Sequence, residues 1–253
     1  QMKGYSDQPL NLYVLDMRTG TAVQTFSNSS TALISGVSHT QFTAMPNLAF
    51  GGTFHNSTID TDKGKTYRDG NYSDDAVYLG YTRKGVTGDT PAASIGKFAK
   101  GGVLRILTGD DPNPANWKIS KVIDGIGPVT SAVTKLQDTY NKKLWLYFGT
   151  GRYFYKSGST IDEDFTDQNE AIYGVTEPCY SVDATDAKVN DMDPTCTSTV
   201  LASDLKDQTS SESALSTSQK GWKIHLGIAT GSFKAKRIYT NPTATSSGVI
   251  FYT

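Results

Sequence analysis

Leu12-Tyr13-Val14-Leu15-Asp16-Met17-Arg18-Thr19-Gly20, running on to Gln24-Thr25-Phe26, reads as a strand, a tight polar turn and a second strand. Asp16 and Gly20 make the turn, because an Asp side chain accepts backbone donors across it and glycine takes a positive φ. The pattern returns as Val103-Leu104-Arg105-Ile106-Leu107-Thr108-Gly109, followed by a Pro-containing turn and Trp117-Lys118-Ile119. A third copy is Ile172-Tyr173-Gly174-Val175, then a long insertion, then Gly221-Trp222-Lys223-Ile224. Between the copies lie hairpins of a second type, Gly36–Ala49 and Gly127–Leu136, each opening on glycine and a small or β-branched run. Each leads to a strand that ends near glycine, Val77-Tyr78-Leu79-Gly80 and Leu146-Tyr147-Phe148-Gly149.

Helical periodicity is nearly absent, and short apolar runs recur between turn signals. The expected strands are Leu10–Met17, Ala22–Phe26, Gln41–Phe50, Asp75–Arg83, Gly102–Thr108, Trp117–Ile123, Pro128–Leu136, Lys143–Gly149, Ala171–Thr176, Gly221–Leu226, Lys236–Thr240 and Val249–Tyr252. Alternating inner and outer hairpins are how the blades of a β-propeller are written, and the fold class expected is all-β. A β-sandwich is the competing architecture. In propeller terms residues 1–253 hold the outer half of one blade, two full blades and the inner half of a fourth, about three blades' worth. Closure needs typically four to eight, so the expected whole is a domain truncated at both ends, with the remaining blades in the parent chain or another chain. Gln1 in place of Met, and the strand-like end Gly248–Thr253, agree with a piece of a longer secreted protein.

Composition narrows the function classes. A net charge of −1, with Lys and Arg scattered along the chain, supplies neither the positive field that nucleic acid requires nor a polybasic membrane patch. No apolar run approaches the roughly 20 residues of a membrane helix. The two cysteines, Cys179 and Cys196, fit neither a zinc site nor a Cys-x-x-Cys redox pair. Both stand in polar sequence where a free thiol gains little from burial, so a disulfide is expected, adding roughly 3 kcal/mol and implying an oxidising compartment. Two unpaired buried thiols are the alternative. The polar 178–221 insertion that carries them is long enough to be either functional or disordered, and would serve as a partner-binding surface.

Leu144-Trp145-Leu146-Tyr147-Phe148-Gly149-Thr150-Gly151-Arg152-Tyr153-Phe154, with Ala171-Ile172-Tyr173-Gly174-Val175 downstream, resembles the most characteristic segment of PilY1-type proteins of the type IV pilus tip. Asp75-Ala76-Val77-Tyr78-Leu79-Gly80-Tyr81 resembles the strand fed by that family's calcium loop. Ile126–Ala132, Arg237-Ile238-Tyr239-Thr240 and Val249–Thr253 follow in matching order. The resemblance spans nearly the whole chain. It implies the C-terminal, seven-bladed-type propeller of such a protein, located extracellularly or at the cell surface, at the pilus tip or outer membrane. It also implies a part in adhesion and in pilus assembly and retraction, without enzymatic activity. The partners implied are minor pilins and a host or abiotic surface.

Chemistry concentrates in the Asp-rich loop 60–75. Calcium takes six to eight oxygens from a flexible loop with acidic residues at alternate positions. The candidate ligands are Asp60, Asp62, Asp69, Asn71, Asp74 and Asp75, with Ser73 in the same run. Relatives carry a compact Asp-x-Asp-x-Asp-Gly run, whereas here Lys63 to Arg68 are inserted. Lys63, Lys65 and Arg68 could neutralise the same carboxylates, so a solvated loop with local ion pairs is the alternative to calcium. The Asp16-x-x-Thr19-Gly20 turn is shared with propellers of quinone-cofactor dehydrogenases, which makes a quinone enzyme fragment a second function class. A glycan-binding propeller using exposed Tyr and Trp is a third. No nucleophile elbow or phosphate-cradling loop is present, and His39, His55 and His225 are isolated.

Overall fold

The computed structural model describes residues 6–61, 74–138, 140–153, 156–157, 160–161, 169–182, 190–228, 230–231 and 235–253. Three sheets are stacked face to face. The first holds β1 (Leu12–Leu15), β2 (Ala22–Ser27) and β3 (Ser38–Gln41), with β3 parallel to β2. The second begins with β4 (Ala49–Gly51) and β5 (Thr58–Ile59), which pair with the two ends of β6 (Ala76–Arg83). It continues antiparallel through β7 (Lys100–Leu107) and β8 (Lys118–Ile126). The third starts with β9 (Thr134–Asp138) and β10 (Lys143–Gly149). A separate small hairpin, β11 (Lys156–Ser157) and β12 (Thr160–Ile161), precedes its next strand, β13 (Ala171–Thr176). Within 178–221 lie the pair β14 (Tyr180–Val182) and β15 (Asn190–Met192), then β16 (Lys206–Asp207), which adds parallel to β17 (Gly221–His225). The C-terminal hairpin is β18 (Thr243–Ala244) and β19 (Ile250–Phe251).

The second sheet is buried on both faces, so every residue of β7 is buried and Val103–Leu107 is apolar apart from Arg105. One face carries Leu79, Tyr81, Leu104, Ile106 and Ile119, packed against Leu12, Phe26 and Met45 of the first layer. The other carries Tyr78, Val103, Leu107, Val122 and Ile123 against Leu144, Leu146, Phe148 and Val175 of the third. The far face of the third sheet is aromatic. Trp145 stacks on Tyr147 at 6.1 Å, and Trp222 reaches Tyr147 at 6.2 Å by lying across Gly174. A Cβ on Gly174 would come within 2.4 Å of the Trp222 ring, so this position has to be glycine.

The glycine that ends each inner hairpin has a shared cause. The chain entering the next sheet crosses over the end of the preceding one, and at the crossing the backbone is too close for a side chain. A Cβ on Gly80 would lie 2.5 Å from Val129, and one on Gly149 would lie 2.3 Å from Ile238. Val129 N donates to Tyr81 O at 3.1 Å, and Ile238 N donates to Thr150 O at 2.9 Å. Two strand expectations are corrected by this geometry. Lys236–Thr240 forms no strand, and Pro128–Leu136 becomes one only from Thr134. Both are crossing segments whose β-branched residues pack on glycine instead of pairing in a ladder. Gln41–Phe50 likewise divides between β3 and β4.

The stack is joined by a buried ion pair. Arg105 lies between Tyr78 and Ser120 in one row across β6, β7 and β8, with none of its side chain exposed. Its Nη1 donates to Glu177 Oε1, just past the end of β13, and its Nη2 donates to Ser120 Oγ at 2.8 Å. Burial pushes the Glu177 carboxyl up, opposed by the Arg105 charge, the Cys179 N–H and the Tyr78 hydroxyl. A second cluster closes the other end of the second sheet. Arg83 grips Asp89 with two bonds, at 2.7 and 2.9 Å, and donates from Nε to Asp124 at 3.0 Å. Tyr81 and Lys121 also donate to Asp124, each at 2.7 Å. Burial pushes the Asp124 carboxyl up, but Lys121, Tyr81 and Arg83 outweigh it and hold it at about 2.

Two outcomes follow from these clusters. Glu177→Leu should cost about 3–5 kcal/mol in urea unfolding, and the Arg105→Met/Glu177→Leu double variant should recover most of it, because the loss lies in stranding a buried charge. A single-variant loss under about 1 kcal/mol would contradict this assignment. Because Asp124 is depressed from 3.8 to about 2, its stabilisation is complete above the unfolded value and disappears as pH falls through the folded one. Asp124→Asn should therefore flatten the wild-type decline between pH 4 and 2, worth on the order of 2 kcal/mol, in acid melts.

Candidate functional site

Strand direction sorts the connections into two ends. β6 and β7 meet one end at Ala76 and Leu107, where β9 finishes and β10 begins at Asp138 and Lys143. The stems of the Asp-rich loop, the 108–117 turn and the 178–221 insertion all leave from this end. The GTGRYF stretch and the 84–99 connection leave from the other.

At the first end the Asp-rich loop has a closed root. Asp75 is buried, and its Oδ2 accepts both Thr61 N and Thr61 Oγ1 at 2.5 Å. Asp75 N donates to Ile59 O at 2.8 Å, Thr108 N donates to Asp75 O at 3.0 Å, and Thr108 Oγ1 donates to Asp74 O. Asp60 and Asp74 sit on the two stems next to this clasp, Asp60 half-buried and Asp74 exposed. The structure thus brings Asp60, Asp74 and Asp75 to the mouth of the loop. Asp62, Asp69 and Asn71 lie outside the described residues, as do Ser73 and the Lys63–Arg68 insertion. Among the described residues no group of three or more His, Cys, Asp or Glu side chains is placed to hold a metal. Carboxylates and backbone carbonyls at the clasp are the hard oxygen donors that a calcium ion takes.

Gln137 on β9 ties the root to the insertion. Its Nε2 donates to Thr61 O at 2.9 Å and to the Tyr180 hydroxyl at 3.0 Å. Nothing in the sequence marked Gln137, since a single Gln in a strand carries no motif.

Cys179 and Cys196 form a disulfide with their Cα atoms 5.6 Å apart. Around it, separate apolar residues of the insertion are packed into the core. Cys179, Met192, Val200 and Leu205 belong to the core between the second and third sheets. Val200 N donates to Val122 O at 2.7 Å, so the insertion crosses back to β8 of the neighbouring sheet. Cys179 N donates to Glu177 Oε1 at 2.8 Å, while Arg105 Nη2 donates to Ser198 O at 3.1 Å and faces Cys196 O at 3.5 Å. The ion pair therefore grips both sides of the disulfide. An arginine inside the apolar run Val103–Leu107 is the one signal that could have exposed this link.

The remaining candidates have structural partners. Asp16 Oδ1 accepts Arg18 N and Thr19 N at 2.9 Å and Thr19 Oγ1 at 3.1 Å, and these bonds hold its carboxyl below the usual range. Gly20 has φ +69°, so this word builds a turn. His39 contacts Thr25 Oγ1 and Ser29 O, each at 2.9 Å, and His225 lies 3.5 Å from Asp207. Arg152 is buried and donates to Phe98 O at 2.8 Å, which is an architectural role.

No protein-family model and no curated protein matches the sequence. Among solved structures the chain is similar to the Pseudomonas aeruginosa PilY1 C-terminal domain, with a TM-score of 0.52 and 14% identity over 92% of this chain and 48% of that one. The chain spans about half the length of that structure. At this identity the likeness shows the fold: the three stacked sheets are those of a partial β-propeller, shared with the C-terminal domain of the family that the sequence resembles.

Proposed function

We propose that this chain is part of a non-enzymatic, extracellular module of a type IV pilus tip that acts in adhesion and in pilus assembly or retraction. The observation that carries the proposal is the shared fold with the PilY1 C-terminal domain over 92% of the chain. It coincides with the GTGRYF stretch and the ordered words around it, which resemble that family independently of any superposition. The disulfide supports an oxidising, extracellular location. Minor pilins and a host or abiotic surface are the partners proposed. The end that gathers the Asp-rich loop and the disulfide-bonded insertion is the contact surface proposed for them, because a rigid scaffold presenting long loops is how such surfaces are built. Calcium in the Asp60–Asp75 loop is proposed as its regulator, ordering the loop above the Thr61–Asp75 clasp.

Two measurements decide these points. In the bacterium that encodes the protein, deletion of the full gene should lower sheared surface pili several-fold, and the protein should co-purify with those pili. Normal piliation together with absence from the sheared fraction would remove the pilus assignment. For calcium, calorimetry on the wild-type chain should give saturable binding with Kd on the order of 10⁻⁶–10⁻⁴ M. The Asp62→Ala and Asp69→Ala variants should each bind at least about tenfold more weakly, and equal affinity in both would dismiss the loop as the site.

A further inference from the structure

The first strands of successive sheets converge along one line. Thr53 N donates to Thr130 O at 3.3 Å, and Thr134 Oγ1 donates to Pro242 O at 2.6 Å, so the β4–β5 segment, β9 and the stretch entering β18 run side by side. Along this line is a cavity of about 230 Å³, lined by His55, Asn56, Thr134, Lys135, Asn241 and Thr243 among others. The faces of the second sheet are taken up by stacking, but this cavity lies on the inner strand edges, which stacking leaves open.

Its chemistry is one-sided. The lining residues bring an ammonium, an imidazole, two amides and two hydroxyls, and no carboxylate is among them. Lys135 Nζ donates one proton to Asn56 O, which leaves two of its three donors for another acceptor. Asn241 Oδ1 accepts Ala132 N at 2.8 Å, which fixes the sense of the amide and leaves Nδ2 to donate elsewhere. Burial pushes the Lys135 ammonium down to about 8, and the nearby Asp74 charge only partly offsets it. An ammonium placed this way gains from an incoming anion, through a charge-assisted hydrogen bond in a partly desolvated setting.

We propose that this inner-edge cavity binds a small monoanionic carboxylate, with Lys135 supplying the charge and Asn241 a directed hydrogen bond. A single ammonium, with Asp74 behind it, matches one negative charge; a phosphate dianion would exceed it. A volume of about 230 Å³ takes a carboxyl group and the ring or residue that bears it, so the source is an acidic sugar or a peptide C-terminus. The site is independent of the pilus assignment, since it follows from the inner edge alone.

The test is a titration of the full chain, followed by NMR shifts of the Ala132 and Asn241 amides. The probes are acetate, galacturonate, galactose, inorganic phosphate and a tripeptide with a free or an amidated C-terminus. Saturation by acetate and galacturonate with Kd on the order of a millimolar, and none by galactose, is the expected result. Galacturonate tighter than acetate identifies an acidic sugar as the source, and the free-acid tripeptide tighter than its amide identifies a peptide end. Lys135→Met keeps the aliphatic stem and should weaken binding about tenfold or more. Asn241→Asp keeps the acceptor for Ala132 N but adds a negative charge, and should weaken it similarly. No saturation by any carboxylate, equal binding in both variants, or phosphate binding more tightly than acetate would each overturn the proposal.

Discussion

The Arg105–Glu177 pair is the contact on which the arrangement of the chain depends, because its two side chains hold two sheets and the insertion together. Arg105 belongs to the middle of the second sheet and Glu177 to the end of a strand in the third. An apolar interface tolerates sliding, since one aliphatic contact is worth about as much as the next. A buried guanidinium does not, because any shift strands a charge without solvent. Ser120 Oγ, Ser198 O and Cys196 O surround Nη2, while Nε is buried without an acceptor among the described residues. The pair therefore sets the register of the second sheet against the third. It also fixes where the disulfide-bonded segment lands.

The same pair explains how described parts of the insertion reach the core despite its composition. Between Pro178 and Gly221 the chain has few apolar residues, and none recur with a strand or helix period. Read locally, such a stretch has no means of burying itself. Its burial is tertiary: Met192, Val200 and Leu205 are single apolar side chains, each placed in a core made by other segments. The disulfide and the Glu177 carboxylate bring the segment back so that these residues arrive there. Sequence patterning detects cores that a segment makes with its own neighbours, and here the neighbours are supplied from β8 and β13.

Elsewhere the fold was legible because local and tertiary demands agree. β6, β7, β10 and β13 begin and end within about two residues of their apolar runs, and the turn glycines fall where a positive φ is needed. The words that misled are the crossing segments. Pro128-Val129-Thr130 and Arg237-Ile238-Tyr239 have strand composition, since a β-branched residue suits a close face-on contact as well as a ladder. What separates the two uses is a glycine about fifty to ninety residues upstream, at Gly80 and Gly149. The recurrence of that glycine was visible; its partner was not. The candidate site was legible in part. The acidic pattern located the loop, and the structure adds the Thr61–Asp75 clasp and its link through Gln137, which no spacing rule encodes.

Stacking sheets face to face has a consequence for where chemistry can reside. Both faces of the second sheet are core, so its strand faces offer nothing to a ligand. Chemistry at this sheet is therefore left to the two strand ends and the inner edges. One end is closed by the Arg83–Asp89–Asp124 cluster, which meets its own donors and acceptors. The other carries the stems of the Asp-rich loop and the insertion, which share Gln137 at their bases. The inner edge carries the Lys135 cavity, and Lys135 lies within electrostatic reach of Asp74 at the mouth of the same loop. The loop mouth and the cavity are therefore neighbours. A cation held by the loop and an anion held by the cavity would each lower the cost of the other, because opposite charges at this separation attract.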